Sequence, residues 1–162
     1  MDDERHHFIE EFGTMFEEMG GGRMVGRVLG FLMVADPPAQ SAEEIAAALH
    51  SSRGAISQAT RILVQIGLIR RFRQPRERRD SFQVRRDGWT EGIRRRDREI
   101  DRLQAMFEQA KRITAGGDPR DYQHLDESIA LMRFWKSGIA DLARAWEVER
   151  ERQFGDPSNR HA

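Results

Sequence analysis

Apolar residues recur along most of the chain with the period of helices that bury one face. Phe8, Ile9, Phe12, Met15, Phe16 and Met19 fall at i, i+1, i+4, i+7, i+8 and i+11, with glutamates between them, which predicts an amphipathic helix ended by Gly20-Gly21-Gly22. A second helix starts near Arg23 and gathers Met24, Val25, Val28, Leu29, Leu32 and Met33 on one broad face. Gly26 and Gly30, four apart on it, leave a shallow groove where another backbone can approach closely. Asp36-Pro37-Pro38 stops this helix, because proline has no N–H to donate and forces the preceding residue out of the helical region. Ser41-Ala42-Glu43-Glu44 is a capping box ahead of a short helix that buries Ile45, Ala46 and Leu49 and runs to about His50. Ser52 is the next N-cap, and the helix it opens closes at Gly67 with Ile56, Ala59, Leu63 and Ile66 facing inward. The opposite side carries Arg53, Ser57 and Arg61, with Gln58 beside them.

Leu68 to Phe72 and Ser81 to Val84 flank the turn-rich Gln74-Pro75-Arg76-Glu77-Arg78-Arg79-Asp80, a pattern of two short strands around a basic loop. From Trp89 to about Thr114 a long helix sets Ile93, Ile100 and Phe107 seven apart, joined by Leu103, Met106, Ala110 and Ile113. It spans roughly 39 Å, longer than a compact domain of this size requires. Gly116-Gly117 ends it, and Asp118-Pro119 caps a last helix carrying Leu125, Ile129, Met132, Trp135, Ile139, Leu142, Ala143 and Trp146, which frays into a polar tail after Phe154. Short helix, tight turn, longer helix and basic hairpin form the order of a winged helix-turn-helix. The expected fold is therefore mainly α, a winged helix-turn-helix with a two-stranded wing plus long N- and C-terminal dimerisation helices. Residues 1–22 are the expected N-terminal dimerisation helix, 23–87 the DNA-binding domain, 88–154 the long helical dimerisation region and 155–162 the polar tail.

Charge sharpens this picture. The 27 basic and 27 acidic residues cancel overall, yet residues 1–49 hold 3 basic and 10 acidic residues, residues 50–98 hold 14 and 5, and residues 99–162 hold 10 and 12. A central arginine-rich block between acidic flanks suits a polyanion. The chain has 162 residues, enough for one ordinary domain or a small domain with a helical appendage. With no cysteine there is no disulfide frame, thiolate nucleophile or cysteine-based zinc site. Val28 to Ala35 is the longest apolar run, far short of the ~20 residues that cross a bilayer, and Met1-Asp2-Asp3-Glu4 is acidic where a secretory signal is basic. These features give the expectation of a soluble cytoplasmic protein with no membrane partner.

The chemistry of the central block matches duplex DNA. The major groove is about as wide as an α-helix. Arg53 and Arg61 can pair with phosphates or the guanine O6/N7 edge, Gln58 with adenine N6/N7, and Ser57 with a phosphate or a base. Gly54 and Ala55 are small enough to let the backbone close on the duplex, and the Ser52 end offers unpaired amides and a positive dipole to a phosphate. Arg76, Arg78 and Arg79 at the hairpin tip, with Arg70, Arg71 and Arg73 on the strand leading to it, suit the negative potential of a narrow minor groove.

Gly26-Arg27-Val28-Leu29-Gly30-Phe31-Leu32, Ser52-Arg53-Gly54-Ala55-Ile56-Ser57, Ile66-Gly67-Leu68-Ile69 and Pro75-Arg76-Glu77-Arg78-Arg79-Asp80 together resemble the MarR-type regulators, especially their GbsR-like branch, over about residues 8–115. The resemblance implies a winged-helix homodimer, with helices from both ends of the chain in the interface, that usually represses transcription. By position it implies Ser52, Arg53, Ala55, Ser57, Gln58 and Arg61 on the recognition helix, and Arg78 and Arg79 as wing arginines. Glu77 stands where much of the wider family has aspartate, a departure that touches the partnering of a wing arginine. The same branch is associated with choline-like quaternary ammonium effectors, which aromatic faces suit. Phe12, Phe16, Trp89, Phe107 and Trp135 are the candidate effector-binding residues.

Dimerisation also follows from the residues, since the last two helices carry more apolar stripe than a ~60-residue winged helix can cover; an intramolecular helical hairpin is the alternative. The five histidines show no metal-ligand spacing, and the glycine clusters match neither a P-loop nor a dinucleotide fingerprint. No catalytic constellation or cofactor site is expected. The leading expectation is a sequence-specific double-stranded-DNA-binding regulator, a repressor relieved by a small molecule; the rival is a winged-helix dimer whose basic wing docks an acidic protein.

Overall fold

A computed structural model of the chain describes residues 2–73 and 79–155, without the side chains of Ile93, Arg94 and Arg96. The elements in order are α1 (Asp3–Glu18), α2 (Arg23–Val34), β1 (Gln40–Ser41), α3 (Ala42–Ala48), α4 (Arg53–Gln65), β2 (Ile69–Arg73), β3 (Asp80–Val84), α5 (Gly88–Ile113), a 3₁₀ turn (Pro119–Tyr122) and α6 (Gln123–Phe154). They divide into two compact units, Met1–Gly92 and Ile93–Ala162, with the boundary inside α5.

In the first unit α1 lies directly on α2. A Cβ added at Gly26 would stand 2.6 Å from the Phe12 carbonyl oxygen and 2.9 Å from Gly13 Cα, so the helices meet backbone to backbone at these glycines. The groove expected at Gly26 and Gly30 is thus occupied by α1 of the same unit. Ile9 of α1 joins Val28, Leu29, Ile45, Leu49, Ile56, Leu63 and Ile69 in a core where each is fully buried. Burial of such a side chain contributes about 1.5–3 kcal/mol.

Capping fixes the elements around that core. Ser41 Oγ accepts from Glu44 N at 3.2 Å while Ser41 N donates to Glu44 Oε2 at 2.6 Å, completing the capping box. That backbone donor, with the Ser41 hydroxyl, holds the Glu44 carboxyl below the ordinary carboxylate range. Ser52 Oγ accepts from Ala55 N at 3.2 Å and caps α4. Gly67, at φ +79°, closes α4 by turning the chain so that Leu68 N donates to Leu63 O at 3.0 Å.

The strands form one antiparallel sheet in the order β1-β3-β2. Ile69 pairs with Val84 and Arg73 with Asp80, while Gln40 and Ser41 pair with Phe82 and Ser81. The wing expected as two strands is therefore part of a three-stranded sheet. The extra strand has only two residues, too few to show an alternating pattern.

In the second unit the C-terminal part of α5 runs beside α6. Ile100, Leu125, Ile129 and Met132 are buried, and Lys111–Asp126, Lys136–Asp101 and Arg133–Glu108 ion pairs tie the two helices together. The last helix begins later than Asp118-Pro119 suggests. Asp118 accepts from Arg120 N at 2.9 Å and caps only the 3₁₀ turn; Tyr122, at φ −116°, interrupts it before α6 starts.

Candidate nucleic-acid interface

Position along α4 separates what is buried from what is offered. Ile56, Ala59, Thr60 and Leu63 face the core, whereas Arg53, Ser57, Gln58 and Arg61 are exposed and Ala55 is half-buried. Thr60 is spared an unsatisfied hydroxyl by donating to Ile56 O at 2.8 Å. Ser52 is exposed at the helix start, its oxygen already accepting from Ala55 N, which leaves its O–H free to donate outward. Arg53 and Arg61 make no ion pair among the described residues, so their charge is available to a ligand.

The sheet supplies the second wall. A cleft of about 450 Å³ runs between α4 and the strands, lined by Ser57, Thr60, Arg61, Val64, Arg71, Arg79, Asp80 and Phe82, with Ala42 and Glu43 at the α3 side. Arg71 Nε donates to Asp80 Oδ2 at 2.9 Å and Arg73 Nη2 to Asp80 Oδ1 at 3.4 Å. The Arg71 guanidinium holds the Asp80 carboxyl below the usual range, so Asp80 stays ionised and fixes two arginines side by side. On the opposite strand face Arg70 stacks over Phe72, its Cζ 4.9 Å from the ring centre.

Ser57, Arg61 and Arg79 are thus brought to one cleft, with Arg73 beside it. Arg53 and Gln58 share the exposed surface of α4. Arg76 and Arg78 lie outside the described residues. The sequence names Arg71 only together with Arg70 and Arg73 as strand arginines, although alternation from Ile69 puts it on the face of Arg73 rather than that of Arg70.

The aromatic candidates distribute differently. Phe12 stacks on Phe16 with ring centres 5.6 Å apart and tilts against Phe8 at 5.5 Å, all three half-buried along α1. Trp89 is exposed at the start of α5, while Phe107 and Trp135 belong to the second unit, the former half-buried and the latter exposed. Among the described residues no group of three His, Asp or Glu side chains could hold a metal ion, and no helix is long and apolar enough to cross a membrane.

A buried helix-turn-helix, an exposed polar face on α4 and a cationic sheet edge define a winged-helix protein of the DNA-binding kind. The MarR family model matches residues 32–81, which run from the end of α2 into β3. Over 134 residues the chain is 35% identical to the HTH-type transcriptional regulator MmpR5 of Mycobacterium tuberculosis, covering 83% of this chain and 81% of that protein. A crystal structure of a transcriptional regulator superposes with a TM-score of 0.82 at 33% identity, covering 89% of this chain and 98% of that one. The chain belongs to the MarR family: it is a DNA-binding winged-helix transcriptional regulator.

Proposed function

We propose that the chain acts as a homodimer that recognises a near-palindromic operator in double-stranded DNA and represses transcription until a small-molecule effector releases it. The observation that carries the reading is the exposed polar face of α4, Arg53, Ser57, Gln58 and Arg61, set beside the Arg71, Arg73 and Arg79 side of the sheet. Side chains of this kind at the front of a helix reach base edges, while wing arginines neutralise phosphates. Residues 23–87 carry the DNA contacts. The helices of residues 88–154, with residues 1–22, carry the dimer contacts, a division supported by the large apolar side chains that α5 and α6 leave in water. A twofold dimer spaces its reading helices about 34 Å apart, one turn of DNA. Repression, effector release and placement in the GbsR-like branch are supported by the motifs around Gly26, Ser52 and Pro75.

Selection of bound fragments from genomic DNA tests the reading. It should return sites with twofold symmetry and a half-site spacing near one helical turn. Arg61→Ala should relax preference at one position of the recovered site by ~1–3 kcal/mol. Recovery of random sequence, or unchanged preference in that variant, would remove base reading by α4; capture of an acidic protein in place of DNA would favour the rival role for the wing.

A further inference from the structure

We infer that Arg27 is a positioning residue for the reading helix, a strut that sets the start of α4 against α1. The inference rests on α4 being the DNA-reading element. Arg27 stands in the middle of α2, far in sequence from both groups it holds, and its side chain is mostly covered, 18% exposed. Its Nε donates to Glu10 Oε1 of α1 at 2.7 Å. The other end of the guanidinium reaches the turn between α3 and α4, where Nη2 donates to Leu49 O at 3.2 Å and Nη1 to Ser51 Oγ at 3.4 Å. One planar fork thus joins three elements. Lysine, with a single ammonium, cannot reproduce that span.

Two further observations mark the arrangement as built. Gly13 of α1 clears the path for the Arg27 stem, since a Cβ there would stand 2.6 Å from Arg27 Cγ. The turn that Arg27 grips contains His50 at φ +48°, a left-handed conformation that a non-glycine residue keeps only when its surroundings hold it. Ser51 N donates to Ala46 O at 3.0 Å and Ser51 Oγ to Leu49 O at 3.0 Å, so the carbonyl taken by Arg27 is also the anchor of the turn's own side-chain bond. Ser52, the cap of α4, follows immediately. A shift of α1 along α2 therefore pulls on Glu10 and Arg27 and is delivered to the residue from which the reading helix starts.

The test compares wild type with Arg27→Ala, Arg27→Lys and the double variant Glu10→Ala/Ser51→Ala, each assayed where circular dichroism shows it fully folded. Affinities for the selected operator and for a random duplex of equal length are measured at the same salt. Arg27→Ala should lower operator affinity by about tenfold or more while random-duplex affinity changes little, because a misdirected helix loses base contacts but keeps the cationic surface. Arg27→Lys should fail to restore the operator-to-random ratio, and hydrogen exchange should quicken at Ser51 and Ala55. A ratio within twofold of wild type in Arg27→Ala would overturn the proposal, as would full rescue by lysine. If Arg27→Ala does not fold, the double variant removes both side-chain partners of Arg27, leaving it only the Leu49 carbonyl and no side-chain hold on α1, and an unchanged ratio there overturns the proposal equally. Loss of effect in Arg61→Ala, by contrast, would remove the reading role of α4 itself.

Discussion

The two units treat their apolar residues in opposite ways. In the first, Ile9, Val28, Leu29, Ile45, Leu49, Ile56, Leu63 and Ile69, drawn from α1 to β2, are all essentially inaccessible to water. In the second, Met106, Ile113, Phe134, Leu142, Val148 and Phe154 are each at least 60% exposed, although the helices carrying them are long and regular. The first unit buries most of its hydrophobic pattern within one chain, with Met15, Met19, Met33, Val64 and Trp89 as its exposed large apolar side chains. The second has apolar surface left over, which is the condition for association, and its ion pairs between α5 and α6 are exposed and contribute little on their own.

Truncation in the two units should therefore differ in kind. Leu63→Ala should destabilise the fold by ~2–5 kcal/mol, by the same amount at every protein concentration, in denaturant titrations. Phe134→Glu with Leu142→Glu should instead weaken association by roughly tenfold or more, visible in sedimentation equilibrium as a fall in mean mass while helical content persists. If that pair unfolds the chain at all concentrations, or leaves its mass unchanged, the contrast between the units is wrong. Ser52→Ala should cost about 1 kcal/mol through the lost α4 cap and leave association untouched.

Smallest is a pH effect confined to the first unit. The folded carboxyl of Glu44 is held below its ordinary 4.5, so its contribution is present above that pH and is lost as pH falls through the folded value. Glu44→Gln should flatten the loss of stability on acidification in this range, and an identical pH profile would show that the capping box does not titrate this way.

What could be read from the chain depended on the range of the interaction. Caps are local, so Ser41, Ser52 and Gly67 mark the limits of α3 and α4 from sequence alone, and the 3.6-residue stripe separates Ile56 and Leu63 from Ser57 and Arg61. Contacts between distant residues left no such trace. Gln40–Ser41 is too short to show that it pairs with β3, and nothing beside Arg27 points to Glu10 or Leu49. Arg71 falls between these cases: its strand face is readable, but its pairing with Asp80 depends on the register of β2 with β3. The aromatic candidates were grouped by residue type only, and type does not say that Phe12 and Phe16 stack on one helix while Phe107 and Trp135 belong to another unit.

The most direct test is the salt dependence and stoichiometry of binding to the selected duplex. The account predicts two chains per site and a log–log decline of affinity with salt of slope about −0.9 for each phosphate neutralised, a slope that becomes shallower when Arg73 and Arg79 are replaced by alanine. One chain per duplex, or a slope indifferent to those arginines, would contradict it.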